Sequence, residues 1–215
     1  MVASFTTYQF SSPFMRLILV RHGETAYNTG VALVRGSIDI PLSETGLKHA
    51  SQAGLALSGT KIDAVFTSSL SRAQTTVAAI VEQNSHISGQ TAEVSKEISE
   101  LCFGDFEGKP SKEVFGPNSE FFKEPNNTLF PNGDSLQLKI GELKEFVARL
   151  KKTYMDKTVL LVSHGGIFNL LAIALFEMPL CQFMTMYMDC CAISELDVGH
   201  DSCRIGVWNQ TSHLE

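Results

Sequence analysis

Short apolar runs alternate along the chain with longer segments in which apolar residues recur every three or four positions. The first kind is typical of buried strands and the second of amphipathic helices. The predicted strands cover residues 16–20, 63–67, about 92–98, 158–163, about 187–197 and 203–209. Strands that alternate with helices favour an α/β fold. We predict a three-layer α/β/α sandwich whose central sheet is mostly parallel, with an antiparallel edge built from a late strand.

Four helices are predicted between these strands. Ser43 is a plausible N-cap for the first, in SETGLKHASQAGLALSG, and the second lies in LSRAQTTVAAIVEQ. A fourth is expected to begin at about Gly166. The third follows Asp134 and has the most regular apolar spacing, so we expect it to dock on the sheet. Its apolar residues are Leu136, Ile140, Leu143, Val147, Leu150 and Tyr154.

The chain is predicted to form one domain over residues 15–215, preceded by an N-terminal extension at 1–14. Between 104 and 133 the helical and strand patterns break, and the region from Phe103 to Phe130 contains six phenylalanines. Long irregular insertions in compact domains are usually functional or disordered. We therefore predict that 104–133 is a lid or a substrate wall. The alternative is that its rings fill the core beneath a loop.

Composition narrows the classes of partner. Of the 215 residues 44% are apolar and 19% are charged, which is ordinary for a globular protein. The net charge is −6 and the chain has no long basic run, which argues against nucleic acid as a partner. No apolar run approaches the ~20 residues of a membrane span. The five cysteines include no pair at zinc spacing with histidines. We expect free thiols, a cytoplasmic location and no metal site.

Two predicted strands end in the same way. In LILVRHG and in VLLVSHGG a short apolar run is followed by His-Gly, at His22 and at His164. In an open parallel sheet, ligands bind beyond the carboxyl ends of the strands, so the two imidazoles should meet at one mouth. Gly165 and the start of the following helix would bring backbone N–H groups close to an anion. A single histidine after a strand is usually a packing or capping residue, but the repeated context favours a shared anion site.

Two arginines strengthen this interpretation. Arg21 directly precedes His22, and Arg72 follows another predicted strand at the start of a helix. A guanidinium is a planar, permanently charged set of donors that suits phosphate oxygens. Arg72 alone would be read as a solvated helix residue.

Five separated segments carry a family resemblance: LVRHGETAYN, GSIDIPLSETGLKHA, TSSLSRAQTT, ELCFGDFEG and LVSHGG. Together they resemble the histidine phosphatase superfamily, the phosphoglycerate-mutase-like proteins, from about Arg16 to about Asn169. The chain length resembles the compact phosphatase branch of that superfamily. The resemblance implies a nucleophilic His22 that becomes a phosphohistidine, with Arg21, Arg72 and His164 stabilising the charge on the transferring phosphoryl group.

The same resemblance implies roles for further residues. Asn28 would be a neutral neighbour of the phosphate. Three residues are candidates for the acid that protonates the leaving oxygen: Glu97, Glu100 and Glu107. The family pattern selects Glu100, and Glu107, at the second acidic position of the same motif, would be structural. The loop GSIDIPL, with Gly36, Ser37 and Asp39, would line the phosphate side of the pocket. Arg35 departs from the residue most often seen before that glycine, and it would reach a second anionic group on the substrate.

The function implied is a phosphomonoesterase that acts on a small phosphorylated metabolite without a cofactor. One alternative is a phosphoglycerate mutase, although the larger mutases carry longer insertions in this region. A second alternative, of another class, is a noncatalytic binding module that retains the fold. A monomer or a homodimer is expected, and the sequence does not identify the metabolite.

Overall fold

The computed structural model describes residues 13–28, 32–87, 91–116 and 129–214. The strands are β1 (Met15–Arg21), β2 (Ala64–Thr67), β3 (Glu93–Val94), β4 (Thr158–Ser163), β5 (Ile193–Val198) and β6 (Cys203–Gln210). The helices are α1 (Glu44–Ala56), α2 (Ser71–Gln83), α3 (Ser111–Phe115), α4 (Leu136–Tyr154) and α5 (Gly165–Phe176).

The six strands form one sheet in the order β3-β2-β4-β1-β5-β6. Neighbours among β3, β2, β4 and β1 pair in parallel. Strand β5 is antiparallel to β1, and β6 is antiparallel to β5. The predicted α/β class and mostly parallel sheet are confirmed, and the antiparallel side is built by two late strands. Strands β1 and β4 lie side by side at the centre, which positions the residues that follow them.

The sheet is covered on both faces. In β1, Leu17 and Leu19 belong to one buried cluster, which includes apolar residues of α4 and α5. Ile18 and Val20 belong to a second cluster with residues of α1 and α2. Alternate side chains of a strand point to opposite faces, so a strand buried on both sides is a continuous apolar run. This arrangement is the predicted α/β/α sandwich.

The predicted helix starts are confirmed by their caps. The Ser43 hydroxyl accepts a hydrogen bond from the backbone N–H of Gly46 at 3.0 Å at the start of α1. The Ser135 hydroxyl accepts from Leu138 at the start of α4, so that helix begins two residues after Asp134. Among the described residues, no helix combines the length and the apolar character that crossing a bilayer requires.

Two strand predictions are too long. The strand expected at about 92–98 is only Glu93–Val94, because this exposed edge pairs with β2 alone and the chain then turns into a 3-10 helix at Lys96–Ile98. The strand expected at about 187–197 begins at Ile193, because the preceding residues fold toward β1. There Cys191 adopts a left-handed conformation, with φ of 58°, and donates its N–H to the carbonyl of Arg21.

The phenylalanine-rich segment is described only in part, because residues 117–128 lie outside the described ranges, as do 1–12 of the predicted extension. Four of the six rings are described, and they form an edge-to-face cluster. Phe103 contacts Phe115 and Phe130 with ring centroids 5.3 and 4.8 Å apart, and Phe106 contacts Phe130 at 6.0 Å. The cluster packs against the core, and Phe103 and Phe115 also line a cavity that Arg21 and His22 border. These two rings therefore belong to the packed core and also line the cavity.

Candidate active site

The parallel pairing of β1 and β4 brings the two histidines together. Arg21 is in register with Ser163, and the N–H of His22 donates to the carbonyl of Ser163 at 2.9 Å. His22 and His164 therefore follow adjacent strand ends, with their ring centroids 5.0 Å apart. The matched strand endings in the sequence predict this juxtaposition.

The His22 ring is buried and held in one tautomer. Its Nδ1 lies 2.7 Å from the carbonyl oxygen of Gly23. A carbonyl only accepts, so Nδ1 carries the proton and Nε2 keeps its lone pair. Burial lowers the pKa of His22 well below its usual value, and the nearby His164, Arg21 and Arg72 lower it further, against the opposing effect of the Gly23 bond. At neutral pH this favours an uncharged ring with a free lone pair on Nε2.

Gly23 is itself constrained by the packing. A Cβ on Gly23 would lie 2.6 Å from the carbonyl oxygen of Gly46 in α1, and its N–H donates to Thr76 Oγ1 at 3.0 Å. A side chain here would displace the carbonyl that orients His22. The glycine after the histidine thus fixes the tautomer indirectly.

His164 is fully buried and anchored by a residue that sequence reasoning missed. Its Nε2 lies 2.7 Å from the hydroxyl of Ser68, which follows β2. Its Nδ1 is buried and has no hydrogen-bond partner among the described residues. Burial lowers the pKa of His164 well below its usual value, and Arg72, Arg21 and Arg35 add to the effect. The position of Ser68 within TSSLSRAQTT, at the end of a strand, was the available signal.

Arg72 is buried at 1% exposure in the first turn of α2. Its Nη1 and Nη2 donate to the carbonyls of Ile38 and Gly36 at 2.8 and 2.9 Å. Arg21 similarly donates through Nη1 to the carbonyl of Met188. In both arginines Nε is buried without a hydrogen-bond partner among the described residues.

Three buried nitrogens therefore lack partners in this part of the molecule: Nε of Arg21, Nε of Arg72 and Nδ1 of His164. Buried polar atoms are nearly always paired, by protein or by a ligand. Two positive guanidiniums among the unpaired groups favour an anion as the missing partner.

The arginines and His22 border a cavity of about 310 Å³. Its lining includes the predicted Asn28, Arg35, Gly36 and Gly165, whereas Ser37 and His164 are not among the lining residues. The described lining residues are Arg21, His22, Asn28, Ala32, Leu33, Val34, Arg35, Gly36, Arg72, Glu100, Phe103, Ser111, Phe115, Gly165, Gly166, Asn169, Met184, Tyr187 and Met188. The lining combines charged and polar groups with apolar side chains.

Glu100 borders the same cavity beside the start of α5. Its carboxyl oxygens accept hydrogen bonds from the N–H groups of Leu101 at 3.1 Å and Gly166 at 3.3 Å. Burial raises the pKa of Glu100, against the opposing effects of Arg72, these two N–H donors and Arg21. Burial thereby shifts the carboxyl group toward its protonated form.

Gly166 permits this placement of Glu100, a role that sequence reasoning missed. A Cβ on Gly166 would lie 2.6 Å from Glu100 Oε1, closer than real Cβ atoms come to an oxygen. The second glycine of the VLLVSHGG segment is the signal that points to it.

The loop before α1 is held by Glu107. The carboxylate of Glu107 accepts hydrogen bonds from the N–H of Ser37 at 2.8 Å, the hydroxyl of Ser37 and the N–H of Phe103. Ser37 therefore faces Glu107, and the loop presents Gly36 to the cavity instead. Gly36 has φ of 50°, which a glycine adopts without strain.

The remaining acidic candidates face elsewhere. Asp39 accepts hydrogen bonds from the N–H and the hydroxyl of Ser71 at the start of α2. Glu97 pairs with Arg149 and accepts from the Ser95 hydroxyl. Within the described ranges, no group of three or more His, Cys, Asp or Glu side chains is arranged to hold a metal ion.

Comparisons with known proteins match nearly the whole chain. A family model described as histidine phosphatase superfamily (branch 1) matches residues 17–211. The adenosylcobalamin/alpha-ribazole phosphatase of Escherichia coli strain K12 is 28% identical over 199 residues, which cover 91% of this chain and 96% of that protein. Phosphoserine phosphatase 1 of Hydrogenobacter thermophilus is 31% identical over 206 residues, covering 93% and 94%. Among solved structures, mycobacterial glucosyl-3-phosphoglycerate phosphatase in complex with VO3 is similar with a TM-score of 0.78 and 28% identity, covering 91% of this chain and 99% of that one.

Proposed function

Because the chain belongs to the histidine phosphatase superfamily, we propose that it hydrolyses small phosphomonoesters through a phosphohistidine formed on His22. The relatives reported above are named as phosphatases of adenosylcobalamin/alpha-ribazole, phosphoserine and glucosyl-3-phosphoglycerate. One observation carries the assignment of the nucleophile. The ring of His22 borders the cavity with Nδ1 held by a carbonyl, which leaves Nε2 as the nitrogen that attacks phosphorus.

In the first step, Nε2 of His22 attacks phosphorus and the bond from phosphorus to the ester oxygen breaks. Glu100 gives its proton to the departing oxygen, and the alcohol leaves. The buried nitrogens of Arg21, Arg72 and His164 supply partners for the three phosphoryl oxygens. These donors are fixed by the fold before substrate binds, because the terminal nitrogens of both arginines are held by backbone carbonyls.

In the second step, the Glu100 carboxylate accepts a proton from a water molecule, whose oxygen attacks phosphorus. The bond from phosphorus to Nε2 breaks, inorganic phosphate leaves, and both His22 and the protonated Glu100 are restored. One carboxyl group serves as acid and then as base, and burial raises its pKa, which favours the protonated form that the first step needs.

Hydrolysis of p-nitrophenyl phosphate in the presence of a chelator and without added metal tests the proposed activity. We expect release of p-nitrophenolate by the parent protein and loss of at least three orders of magnitude in the His22→Ala variant. A parent protein that folds and shows no hydrolysis of any phosphomonoester would favour the noncatalytic binding module.

The mutase alternative is separated by a different assay. The protein is incubated with 3-phosphoglycerate and a trace of 2,3-bisphosphoglycerate, and both 2-phosphoglycerate and free phosphate are followed. The proposed phosphatase releases phosphate with little isomerisation. Rapid isomerisation with little release of phosphate would assign the mutase activity instead.

A further inference from the structure

Arg35 is a third guanidinium on the cavity lining, beside those of Arg21 and Arg72. It forms no ion pair with a carboxylate in the part of the chain that the structure describes. The residue is half-buried, so its charge is only partly solvated. Desolvating a charge without pairing it is costly, which makes Arg35 a candidate for pairing with a ligand.

The Arg35 side chain is held in position. Its Nη1 donates to Thr25 Oγ1 at 3.0 Å, and Thr25 Oγ1 in turn donates to Asn28 Oδ1 at 3.1 Å. The N–H of Thr25 donates to the same Asn28 oxygen at 2.8 Å. Among the described residues, one guanidinium nitrogen of Arg35 has a hydrogen-bond partner, and its other donors are available to an acceptor at the cavity. A long side chain that is already held in place loses less conformational entropy when a ligand binds.

Charge balance indicates what that acceptor is. The described lining carries three guanidiniums, Arg21, Arg35 and Arg72, and one carboxyl group, Glu100. Burial and repulsion from Arg21 lower the pKa of Arg35 to about 10, which still leaves it charged at neutral pH. A phosphomonoester carries at most two negative charges. In the first step of the proposed mechanism Glu100 carries a proton, so one positive charge at the cavity stays uncompensated.

We propose that Arg35 binds a second anionic group, a carboxylate or a second phosphate, carried by the same substrate molecule that presents its phosphoryl group to His22. This inference rests on the proposed function for the placement of the phosphoryl group. It narrows the substrate to a compact phosphomonoester with two anionic groups on a short carbon skeleton. Leu33 and Val34 precede Arg35 on the lining and, with Phe103 and Phe115, offer that skeleton an apolar wall.

Three pairs of ligands test the second anionic group. The pairs are 2-phosphoglycolate with ethyl phosphate, 3-phosphoglycerate with glycerol 3-phosphate, and fructose 1,6-bisphosphate with fructose 6-phosphate. Each pair keeps one phosphate and removes the second anionic group, and the first two pairs test carboxylates while the third tests a phosphate. Dissociation constants are measured by calorimetry on the His22→Ala protein, in which no phosphohistidine can form.

In at least one pair, the ligand that carries the second anionic group is expected to bind roughly ten- to hundredfold more tightly than the ligand that lacks it, as a charge-assisted bidentate pair predicts. When Arg35→Gln is added, the ratio of the two dissociation constants in that pair should fall to within about threefold of one. Arg35→Lys should restore part of it, because lysine keeps the charge and loses the planar fork. The control is Lys109→Gln, which removes an exposed positive charge from the neighbouring segment and should leave the ratio unchanged.

The proposal is overturned if no pair shows a preference in the parent background, if the preference survives in a folded Arg35→Gln protein, or if Lys109→Gln reduces it equally. Circular dichroism establishes folding, and the Arg35→Lys variant provides a second measurement if Arg35→Gln does not fold. Failure of the proposed function has a different signature. In that case the binding preference would still depend on Arg35, but the protein with His22 intact would hydrolyse none of the ligands.

Discussion

At the scale of single residues, burial and the charges around the site shift the pKa values of its titratable groups. His22 and Glu100 are both buried at one cavity, and burial moves their pKa values in opposite directions. The His22 ring is thereby shifted toward its neutral form and the Glu100 carboxyl toward its protonated form, which is the pairing that the proposed attack on a phosphomonoester requires. The positive charges of Arg21 and Arg72 would stabilise an ionised Glu100, so burial has to outweigh them.

Glu100→Gln tests the assignment of the acid. Alkyl phosphates have leaving groups that need a proton, whereas p-nitrophenolate needs little help. We expect the variant to slow glycerol 3-phosphate hydrolysis by a factor on the order of 100 to 10,000, and p-nitrophenyl phosphate by much less. Steady-state kinetics on both substrates provide the comparison, with Glu97→Gln as the control, since Glu97 pairs with Arg149 away from the cavity. Equal slowing of both substrates by Glu100→Gln would remove Glu100 as the acid.

Residue roles were less predictable than residue positions. The sequence places His22, His164 and Arg21 at strand ends, and the structure brings them together because β1 and β4 pair in register. Ser37 lies in the expected loop, yet its hydroxyl faces Glu107, because that carboxylate organises the loop from within. Which way a loop side chain turns depends on contacts seventy residues away, and no local pattern encodes it.

At the scale of elements, the start of α5 is the feature on which the geometry of Glu100 depends. The helix begins directly after His164, and the N–H of Gly166 in its first turn donates to the carboxyl group. Only a glycine at position 166 leaves room for that approach.

Gly166→Ala should therefore damage catalysis more than folding. The new Cβ would push the Glu100 carboxyl away, and we expect kcat on glycerol 3-phosphate to fall roughly tenfold or more, as misplacement by about 1 Å costs on the order of 100-fold. The control is Gly141→Ala in α4, where nothing lies within 4 Å of the new Cβ. That change should leave kcat alone and raise the free energy of unfolding by about 0.5–1 kcal/mol. Unchanged kcat in Gly166→Ala would show that the close approach is dispensable.

Elements with strong periodicity were predicted well, and those without it were not. The continuous apolar runs of β1 and β4 and the regular spacing of α4 result directly from burial on a sheet. The short edge strand β3 has both residues exposed, so burial left no pattern to find. The segment before β5 was predicted as strand from its composition. Instead, Tyr187 and Met188 of this segment line the cavity, and tertiary contacts there override the local preference for a strand.

At the scale of the whole molecule, the buried histidines link the chemistry to stability. Their folded-state pKa values lie well below the usual value of 6.5, so the unfolded chain takes up protons first as the pH falls. The free energy of unfolding should therefore decrease below about pH 6.5, by up to about 1.4 kcal/mol per pH unit for each histidine. Glu100, whose pKa is raised, acts in the opposite direction, because its folded form binds a proton before the unfolded form does.

Urea unfolding between about pH 7 and 5.5 measures this linkage. The His164→Gln variant should show a shallower decrease than the parent, by up to about 1.4 kcal/mol per pH unit. His86→Gln is the control, because that side chain is exposed. Identical slopes for parent and His164→Gln would mean that His164 does not remain neutral in the folded protein.

The molecule as a whole carries a net charge of −6 and yet gathers three guanidiniums at one cavity. Net charge therefore gave no hint of an anion site, because the arginines converge from β1, the following loop and α2 only in the folded chain. The family resemblance of the motifs predicted the convergence, and the topology explains it.

The most direct test of the central claim is to trap the covalent intermediate. The protein is mixed with excess p-nitrophenyl phosphate, quenched within a turnover into alkali, in which phosphohistidine persists, and digested for peptide mass spectrometry. The account predicts one phosphoryl group on the peptide that contains His22, and none in the His22→Ala protein. Turnover without label on that peptide, or label on His164 instead, would contradict it.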